Sequence, residues 1–413
     1  MTGFWQRISL LSHIESVDTG VIDEGMRARI NAARVMCVCL MIYVHVPNGL
    51  GMAGSPELVS NLRFDHWLES MLVAGPGRSS AALLSIVSGF LIAITLCKPR
   101  EGLTGQFLRK LYLRRAESIL LPMVIWALVT CAVYVALDSD STSFVAQAEG
   151  VLAKLNLVFF LTESPYGATL HLGFLRDLFV CVLLSPLLLF ALQRAPKLTI
   201  AFLLAVYLII NSGNTVIIHR PLIILCFTIG MWLAINRIQI NALDRHWPVF
   251  LLLMGVFAVL IIWTHAGMLD PIQNFLAGYG VSLLESVLYP LSRLSGSLAL
   301  WCMLPLLSGA WLSRIITSVS PYLFAAFCSH FLVLAILFNA IWLPLAGDRN
   351  SSLYLIWFLS APLVSMAVAI AMVNIAGRIH PRIARLMTGG RVQPSSATAT
   401  TNDTAGGRLV RTD

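Results

Sequence analysis

Long apolar runs constrain this chain most, because they recur along nearly its whole length with only short polar segments between them. The ten runs fall near residues 30–52, 79–97, 119–137, 171–192, 198–211, 219–235, 248–268, 296–312, 321–345 and 352–376. Most approach the ~20 residues that an α-helix needs to cross a bilayer. The chain is 58% hydrophobic and 12% charged, whereas soluble domains carry about 25% charged residues. The pattern predicts an all-α integral membrane protein with about ten transmembrane helices.

Basic residues beside the apolar runs predict the orientation of the chain. Residues 98–115 hold six lysines and arginines against one acid, and the positive-inside rule places such a segment in the cytosol. Basic links then recur at every second connection, so both termini are predicted to be cytosolic. The predicted organisation is a cytosolic lead-in at 1–29, a membrane domain at 30–376 and a basic, disordered cytosolic tail at 377–413. We expect a multi-pass protein of the cytoplasmic (inner) membrane.

The same distribution of charge bears on possible partners. The net charge of +8 lies mostly in short segments beside apolar runs, which favours a bilayer and disfavours nucleic acid as the partner. Nearly all of the eight cysteines fall inside apolar runs, and no C-x-x-C pair occurs. The cysteines are therefore interpreted as small buried side chains, and neither disulfides nor a metal site is predicted.

Two ionisable residues bracket ten uncharged residues at the start of the first run. These are Arg34 and His45. If the segment is one continuous helix, eleven steps of about 100° return His45 to within roughly 20° of Arg34, some 16 Å farther along the same face. Two polar side chains that face one way inside a membrane favour a lined cavity over contact with lipid.

Four motifs in order along the chain resemble those of the acyltransferase family 3 membrane proteins. They are Arg34 with His45, Ser88-Gly-Phe-Leu-Ile92, His171-Leu-Gly-Phe-Leu-Arg-Asp-Leu178 and Cys328-Ser-His330. The third resembles a segment of members that acylate surface polysaccharides. Two positions depart from the family pattern: Ser118 stands where a second arginine often follows Arg115, and Gly173 replaces the usual tryptophan.

The resemblance implies transfer of an acetyl or succinyl group from acetyl-CoA or succinyl-CoA to a hydroxyl of an extracytoplasmic or lipid-linked polysaccharide. The CoA thioester is a substrate, and no permanently bound cofactor is expected. A histidine, with an ordinary pKa of about 6.5, is suited to accept the hydroxyl proton. The resemblance places His45 in that role with Arg34 as its catalytic partner toward the donor.

The remaining site residues divide between the two substrates. Arg115 and Ser88 are predicted to bind the CoA donor, since CoA is a polyanion that arrives from the cytosol. His171 and His330 are predicted to face the glycan acceptor.

Each of these positions also has a structural interpretation. Arg34 is equally typical of a side chain anchored at the membrane surface, Ser88 of small-residue helix packing, and His330 of a residue that holds its helix in place. Arg176 and Asp177 predict a buried ion pair inside a span. The acidic residues and the histidine of the first outer loop are interpreted as solvated surface; they are Asp65, His66 and Glu69.

Two other functions are compatible with a multi-span chain. One is a transporter or exporter of a glycan or small molecule, which predicts related halves with paired ionisable groups, and the sequence has no internal repeat. The other is a structural subunit of a polysaccharide assembly complex, which has no need of His45.

Overall fold

The structure is a computed structural model that describes residues 23–48, 63–97, 103–137, 150–160, 167–209, 218–238, 240–278, 282–307 and 309–392. Within these ranges the chain is helical and contains no β-strand. The helices are α1 Glu24–Tyr43, α2 Phe64–Leu72, α3 Arg78–Cys97, α4 Gly105–Arg115, α5 Leu121–Leu137, α6 Gly150–Phe159, α7 Gly173–Arg194, α8 Pro196–Ile209, α9 Pro221–Ile235, α10 Trp247–His265, α11 Asp270–Ala277, α12 Tyr289–Met303, α13 Ala310–Val319, α14 Leu323–Leu337, α15 Leu343–Ala346, α16 Tyr354–Ile379 and α17 Pro381–Met387.

Seven helical stretches of the described chain are long and apolar enough to cross a membrane. They are Phe64–Cys97, Gly105–Leu137, Gly173–Arg194, Asn241–His265, Ser286–Leu307, Ala310–Ala346 and Tyr354–Ile379. The other three predicted runs overlap α1, which carries four charged side chains, and α8 and α9, which have 14 and 15 residues. The all-α membrane class is therefore confirmed, while the count of ten spans and the cytosolic termini stay predictions.

Several stretches are longer than predicted because π-helical turns join neighbouring helices. Such turns at Val73–Gly77, Ala116–Leu120 and Phe338–Trp342 connect α2 to α3, α4 to α5 and α14 to α15. A π-turn adds one residue to the helical turn without ending the helix. Residues 64–72, predicted as part of an outer loop, consequently continue into the second span.

Both predicted ends of the membrane domain need correction. Residues 24–29 of the predicted lead-in already belong to α1, where Arg29 pairs with Asp244 at 2.5 Å and lies over the Trp301 ring. The prediction of a disordered tail is wrong for residues 377–392, since α16 ends at Ile379 and α17 follows at once. The rest of both segments, 1–22 and 393–413, lies outside the described residues.

Helices α3 and α9 approach each other closely through two glycines. A Cβ atom added at Gly89 would overlap the backbone carbonyl of Phe227, and one added at Gly230 would overlap that of Ile86. Glycine lets two helix backbones meet at such a distance. This contact gives a structural reason for the Ser88-Gly89 pair, whereas a donor-binding role for Ser88 stays a prediction.

Replacing Gly89 by alanine is expected to lower the free energy of unfolding by about 1–3 kcal/mol, because the added methyl group has no space against the α9 backbone. The matched control is Gly255→Ala on α10, where an added Cβ meets no atom within 4 Å. Since alanine favours helix at both positions, only the packing differs. Thermal unfolding of the purified protein in detergent measures both variants, and equal stability of the two would contradict the packing argument.

Candidate active site

His45 lies just beyond the end of the first helix. Helix α1 ends at Tyr43, and the His45 N–H donates to the Ile42 carbonyl oxygen at 3.0 Å, which is a tight turn. The expectation of one continuous helix from Arg34 to His45 is therefore wrong at its last residues. Tertiary contacts, rather than helical periodicity, position His45.

Two hydrogen bonds fix the segment that carries His45. The Asn48 carbonyl oxygen accepts from the Arg349 N–H at 2.9 Å, and the Pro47 carbonyl oxygen accepts from the Trp357 indole N–H at 3.1 Å. Both donors lie in the C-terminal part of the chain. The residues after α1 are thus tied to the start of α16 and to the turn before it.

Three histidines from distant parts of the sequence meet at this point. The ring centroids of His171 and His330 are 4.7 Å apart, and the His45 centroid lies 6.2 Å and 5.5 Å from them. His171 comes from the 3₁₀ turn before α7, and His330 from the middle of α14. The structure therefore brings together all three histidines that the sequence analysis selected, which we call the histidine cluster.

Hydrogen bonds orient two of the three imidazoles. Nε2 of His171 lies 2.9 Å from the Cys328 carbonyl oxygen, and Nδ1 of His330 lies 2.6 Å from the Phe327 carbonyl oxygen. A carbonyl oxygen only accepts, so each of these ring nitrogens carries the proton. The opposite nitrogens, Nδ1 of His171 and Nε2 of His330, have no partner in the described part of the chain.

His45 is the accessible member of the cluster. His171 and His330 are 2% and 0% exposed, whereas His45 is only partly buried and makes no side-chain hydrogen bond to a described residue. The Phe331 ring closes the cluster, stacked on His171 at 5.7 Å and 6.2 Å from His45. Among the described residues, no group of three or more His, Cys, Asp or Glu is arranged to hold a metal ion.

An ion pair at the start of α7 connects this helix to the segment before α9, beside the histidine cluster. Arg176 Nη1 lies 2.8 Å from Asp177 Oδ1, which confirms the predicted pair. The Asp177 carboxylate also accepts from the backbone N–H groups of His219 and Arg220 at 3.2 Å and 3.0 Å. These bonds attach α7 to the segment before α9, where Arg220 comes within electrostatic range of His45.

A second ionic cluster was missed by the sequence analysis. His66 and Glu69, interpreted as solvated surface, are each 1% exposed. Glu69 Oε2 pairs with Arg349 Nε at 2.6 Å, and Glu69 Oε1 accepts from the Tyr354 hydroxyl at 3.3 Å. The spacing of residues 66 and 69, one helical turn, was a signal that both lie on one helix face. Arg349 thereby connects this buried pair to the segment after His45.

Three arginines gather at the other end of the site. Arg34 on α1, Arg115 at the end of α4 and Arg391 after α17 lie within electrostatic range of one another. Arg34 is exposed and Arg115 is partly buried, so both guanidinium groups are accessible. Arg34 and Arg115 make no side-chain hydrogen bond or ion pair with the described residues. Repelling cations without an acidic partner suit an anionic ligand.

Helix α14 connects this arginine cluster to the histidine cluster. Arg391 lies over the ring of Phe324, near the start of α14, and His330 lies six residues farther along the helix. A rise of 1.5 Å per residue makes that separation about 9 Å. The arginine cluster and the histidine cluster therefore occupy neighbouring parts of one helical bundle.

The fold and this site define a multi-pass membrane protein that combines a histidine cluster with a cluster of three arginines. The family described as Acyltransferase domain (Acyl_transf_3) matches residues 27–374, and the chain belongs to this family. The protein is accordingly an acyltransferase that transfers groups other than amino-acyl groups. Membership of this family disfavours the transporter and structural-subunit alternatives.

One curated relative extends this comparison along nearly the whole chain. The chain is similar to the "Succinoglycan biosynthesis protein ExoH" of Rhizobium meliloti (strain 1021), with 28% identity over 378 residues. The similarity covers 90% of this chain and 94% of the relative. No solved structure matches the chain.

Proposed function

We propose that this protein transfers an acetyl or succinyl group from acyl-CoA to a hydroxyl of an extracytoplasmic or lipid-linked polysaccharide, in the cytoplasmic membrane. The observation that carries the proposal is the convergence of His45, His171 and His330, within 6.2 Å between ring centroids, in a member of an acyltransferase family. The proposed polysaccharide acceptor is supported by the printed name of the succinoglycan relative.

His45 is the general base of the proposed reaction. It accepts the proton of the sugar hydroxyl while that oxygen attacks the thioester carbonyl carbon. A new carbon–oxygen bond forms, the tetrahedral oxyanion collapses, and the carbon–sulfur bond breaks. The proton then passes from His45 to the departing CoA thiolate. The choice of His45 rests on its accessible surface, since the other two imidazoles are fully buried.

His171 and His330 act on the acceptor side of this scheme. Each donates one ring N–H to a backbone carbonyl oxygen, and this bond fixes the direction of the opposite nitrogen. Those nitrogens are buried without a partner in the described part of the chain, and they can accept hydrogen bonds from sugar hydroxyls once the acceptor enters the cluster. Such bonds place the reacting hydroxyl beside His45, and positioning of this kind contributes much of an enzyme's rate enhancement.

Arg34 and Arg115 bind the CoA donor. The phosphates of CoA are anionic at neutral pH, and guanidinium groups bind phosphate through two parallel N–H donors. The separation of about 9 Å along α14 is short enough for the pantetheine arm to carry the thioester from the arginine cluster to the histidine cluster. Ser88, on the neighbouring helix α3, is proposed to contact that arm.

Deletion of the gene tests the proposal, with the surface polysaccharide analysed by mass spectrometry and NMR before and after removal of esters by mild base. We expect the deletion strain to lack one ester-linked acyl group. Reintroducing the wild-type gene should restore this group, whereas reintroducing a gene that encodes the His45→Gln variant should not. Reconstituted protein supplied with labelled acetyl-CoA or succinyl-CoA then identifies the acyl group. An unchanged ester content in the deletion strain would contradict the proposed function.

A further inference from the structure

The segment after α17 folds back against the membrane domain. The Trp126 indole N–H on α5 donates to the Met387 carbonyl oxygen at 3.2 Å. The Thr388 hydroxyl donates to the Ala384 carbonyl oxygen at 2.8 Å and accepts from the Val392 N–H at 3.3 Å. We call residues 381–392 the C-terminal segment. Hydrogen bonds attach it to α5 and also connect residues within it.

Two glycines let this segment approach the end of α4. Gly389 and Gly390 have φ values of +60° and +80°, a region that favours glycine. A Cβ atom at Gly389 would overlap the Ser118 carbonyl oxygen. Ser118 lies three residues after Arg115, so the glycine turn brings the next residue, Arg391, beside the arginine cluster.

The Arg391 guanidinium contacts the protein on two sides although the residue keeps exposed surface. Its Nη1 donates to the Thr388 carbonyl oxygen at 2.9 Å and lies 3.5 Å from the Ser118 carbonyl oxygen. Its Cζ lies 4.1 Å from the centroid of the Phe324 ring, within cation–π range. Arg391 keeps exposed surface, as Arg34 does, so both guanidinium groups are accessible to a ligand.

The charge of Arg391 persists at neutral pH. Burial lowers the pKa of Arg391 to about 10, and the neighbouring charges of Arg34 and Arg115 act in the same direction. A guanidinium with that pKa is still protonated at pH 7. Among the described residues, Arg391 has no acidic partner, and its side chain bonds only neutral carbonyl oxygens. The arginine cluster therefore holds three positive charges, and an anion would offset their repulsion.

We propose that Arg391 is a third phosphate-binding arginine of the donor site, and that the C-terminal segment forms one wall of that site. The inference rests on the proposed function and adds to it a residue from outside the region that matches the family. The ligand is the phosphorylated adenosine end of CoA, which carries a 3′-phosphate and a pyrophosphate. Three guanidinium groups from α1, α4 and the C-terminal segment match a ligand with phosphates at more than one position.

Binding of CoA to the purified full chain in nanodiscs of zwitterionic lipid tests this inference. We expect Arg391→Gln to weaken CoA binding about ten- to a hundredfold, since a hydrogen bond between two charged groups is lost. Arg391→Lys retains the charge but not the paired donors and is expected to recover part of the affinity. The matched control is Arg385→Gln. Arg385 is an exposed arginine of the same segment whose side chain, unlike that of Arg391, makes no hydrogen bond to a described residue, so the CoA affinity of this variant is expected to stay within about twofold of wild type.

A phosphate-free donor separates binding from folding. Turnover of an acyl-pantetheine thioester, which lacks the phosphorylated adenosine end, is expected to be the same in wild type and Arg391→Gln. The inference would be overturned if Arg391→Gln lowered turnover of the acyl-pantetheine donor as much as it lowers CoA binding. It would also be overturned if Arg391→Gln left the CoA affinity unchanged. Because CoA binding is measured without any glycan, the result is independent of whether a polysaccharide is the acceptor.

Discussion

Replacing His45 by glutamine is expected to lower acyl transfer by about 10²- to 10⁴-fold, the range that a positioned general base contributes. Glutamine keeps a hydrogen-bonding side chain of similar length but cannot take up the hydroxyl proton near neutral pH. His45 is only partly buried and makes no side-chain hydrogen bond to a described residue, so the folded protein should tolerate the change. Transfer from labelled acyl-CoA by equal amounts of membrane-inserted protein measures the effect.

The control for this experiment is His246→Gln. His246 is exposed, lies in the turn before α10 and contacts only the adjacent Arg245 among the described residues. Its replacement should leave the rate unchanged. If His45→Gln kept more than about a tenth of the wild-type transfer rate while His330→Gln abolished transfer, His330 and not His45 would be the general base.

Replacing Arg349 by methionine is expected to lower the free energy of unfolding by about 3–5 kcal/mol, because it leaves the Glu69 carboxylate buried without its cation. The two side chains are 2% and 1% exposed and pair at 2.6 Å. Replacing both partners removes the buried charge, so Glu69→Gln combined with Arg349→Met should recover much of the loss. Thermal or denaturant unfolding in detergent measures both the single and the double variant.

An exposed ion pair provides the matched comparison. Arg63 pairs with Asp65 at 2.8 Å on the same helix end, but the Arg63 side chain is 44% exposed. Water replaces the lost partner at such a site, and Arg63→Met should cost at most about 1 kcal/mol. If Arg349→Met destabilises the protein no more than Arg63→Met does, the buried pair is not a stabilising element.

The buried pair also bears on the histidine cluster. Arg349 donates its backbone N–H to the Asn48 carbonyl oxygen, three residues after His45. Trp357, one turn into α16, holds the adjacent Pro47 carbonyl oxygen. Beyond the end of α1 at Tyr43, these contacts add to the hydrogen bond from the His45 N–H to the Ile42 carbonyl oxygen in positioning the base. Arg349→Met keeps the backbone N–H but frees the residue that carries it from its ion pair, so the loss of stability should be accompanied by a loss of transfer rate.

The sequence by itself determined the features that depend on residues close to one another along the chain. Apolar runs of membrane-spanning length predicted the class of protein, because an apolar helix is stable in lipid whatever its neighbours are. The same runs made Arg34, His45, His171 and His330 conspicuous as polar residues in apolar surroundings. The charged pair Arg176–Asp177 was predicted for a related reason, since adjacent charges inside a span need a partner.

Only the tertiary structure decided which of these residues meet. His45 and His330 come together because α1 and α14 pack side by side, and no local pattern records that contact. Glu69 looked like a solvated residue because its partner, Arg349, lies 280 positions away. Arg391 looked like part of a disordered tail because the contact of its glycine turn with Ser118 joins residues far apart in the sequence. Local hydrophobicity set the helices, whereas packing between distant helices set the site.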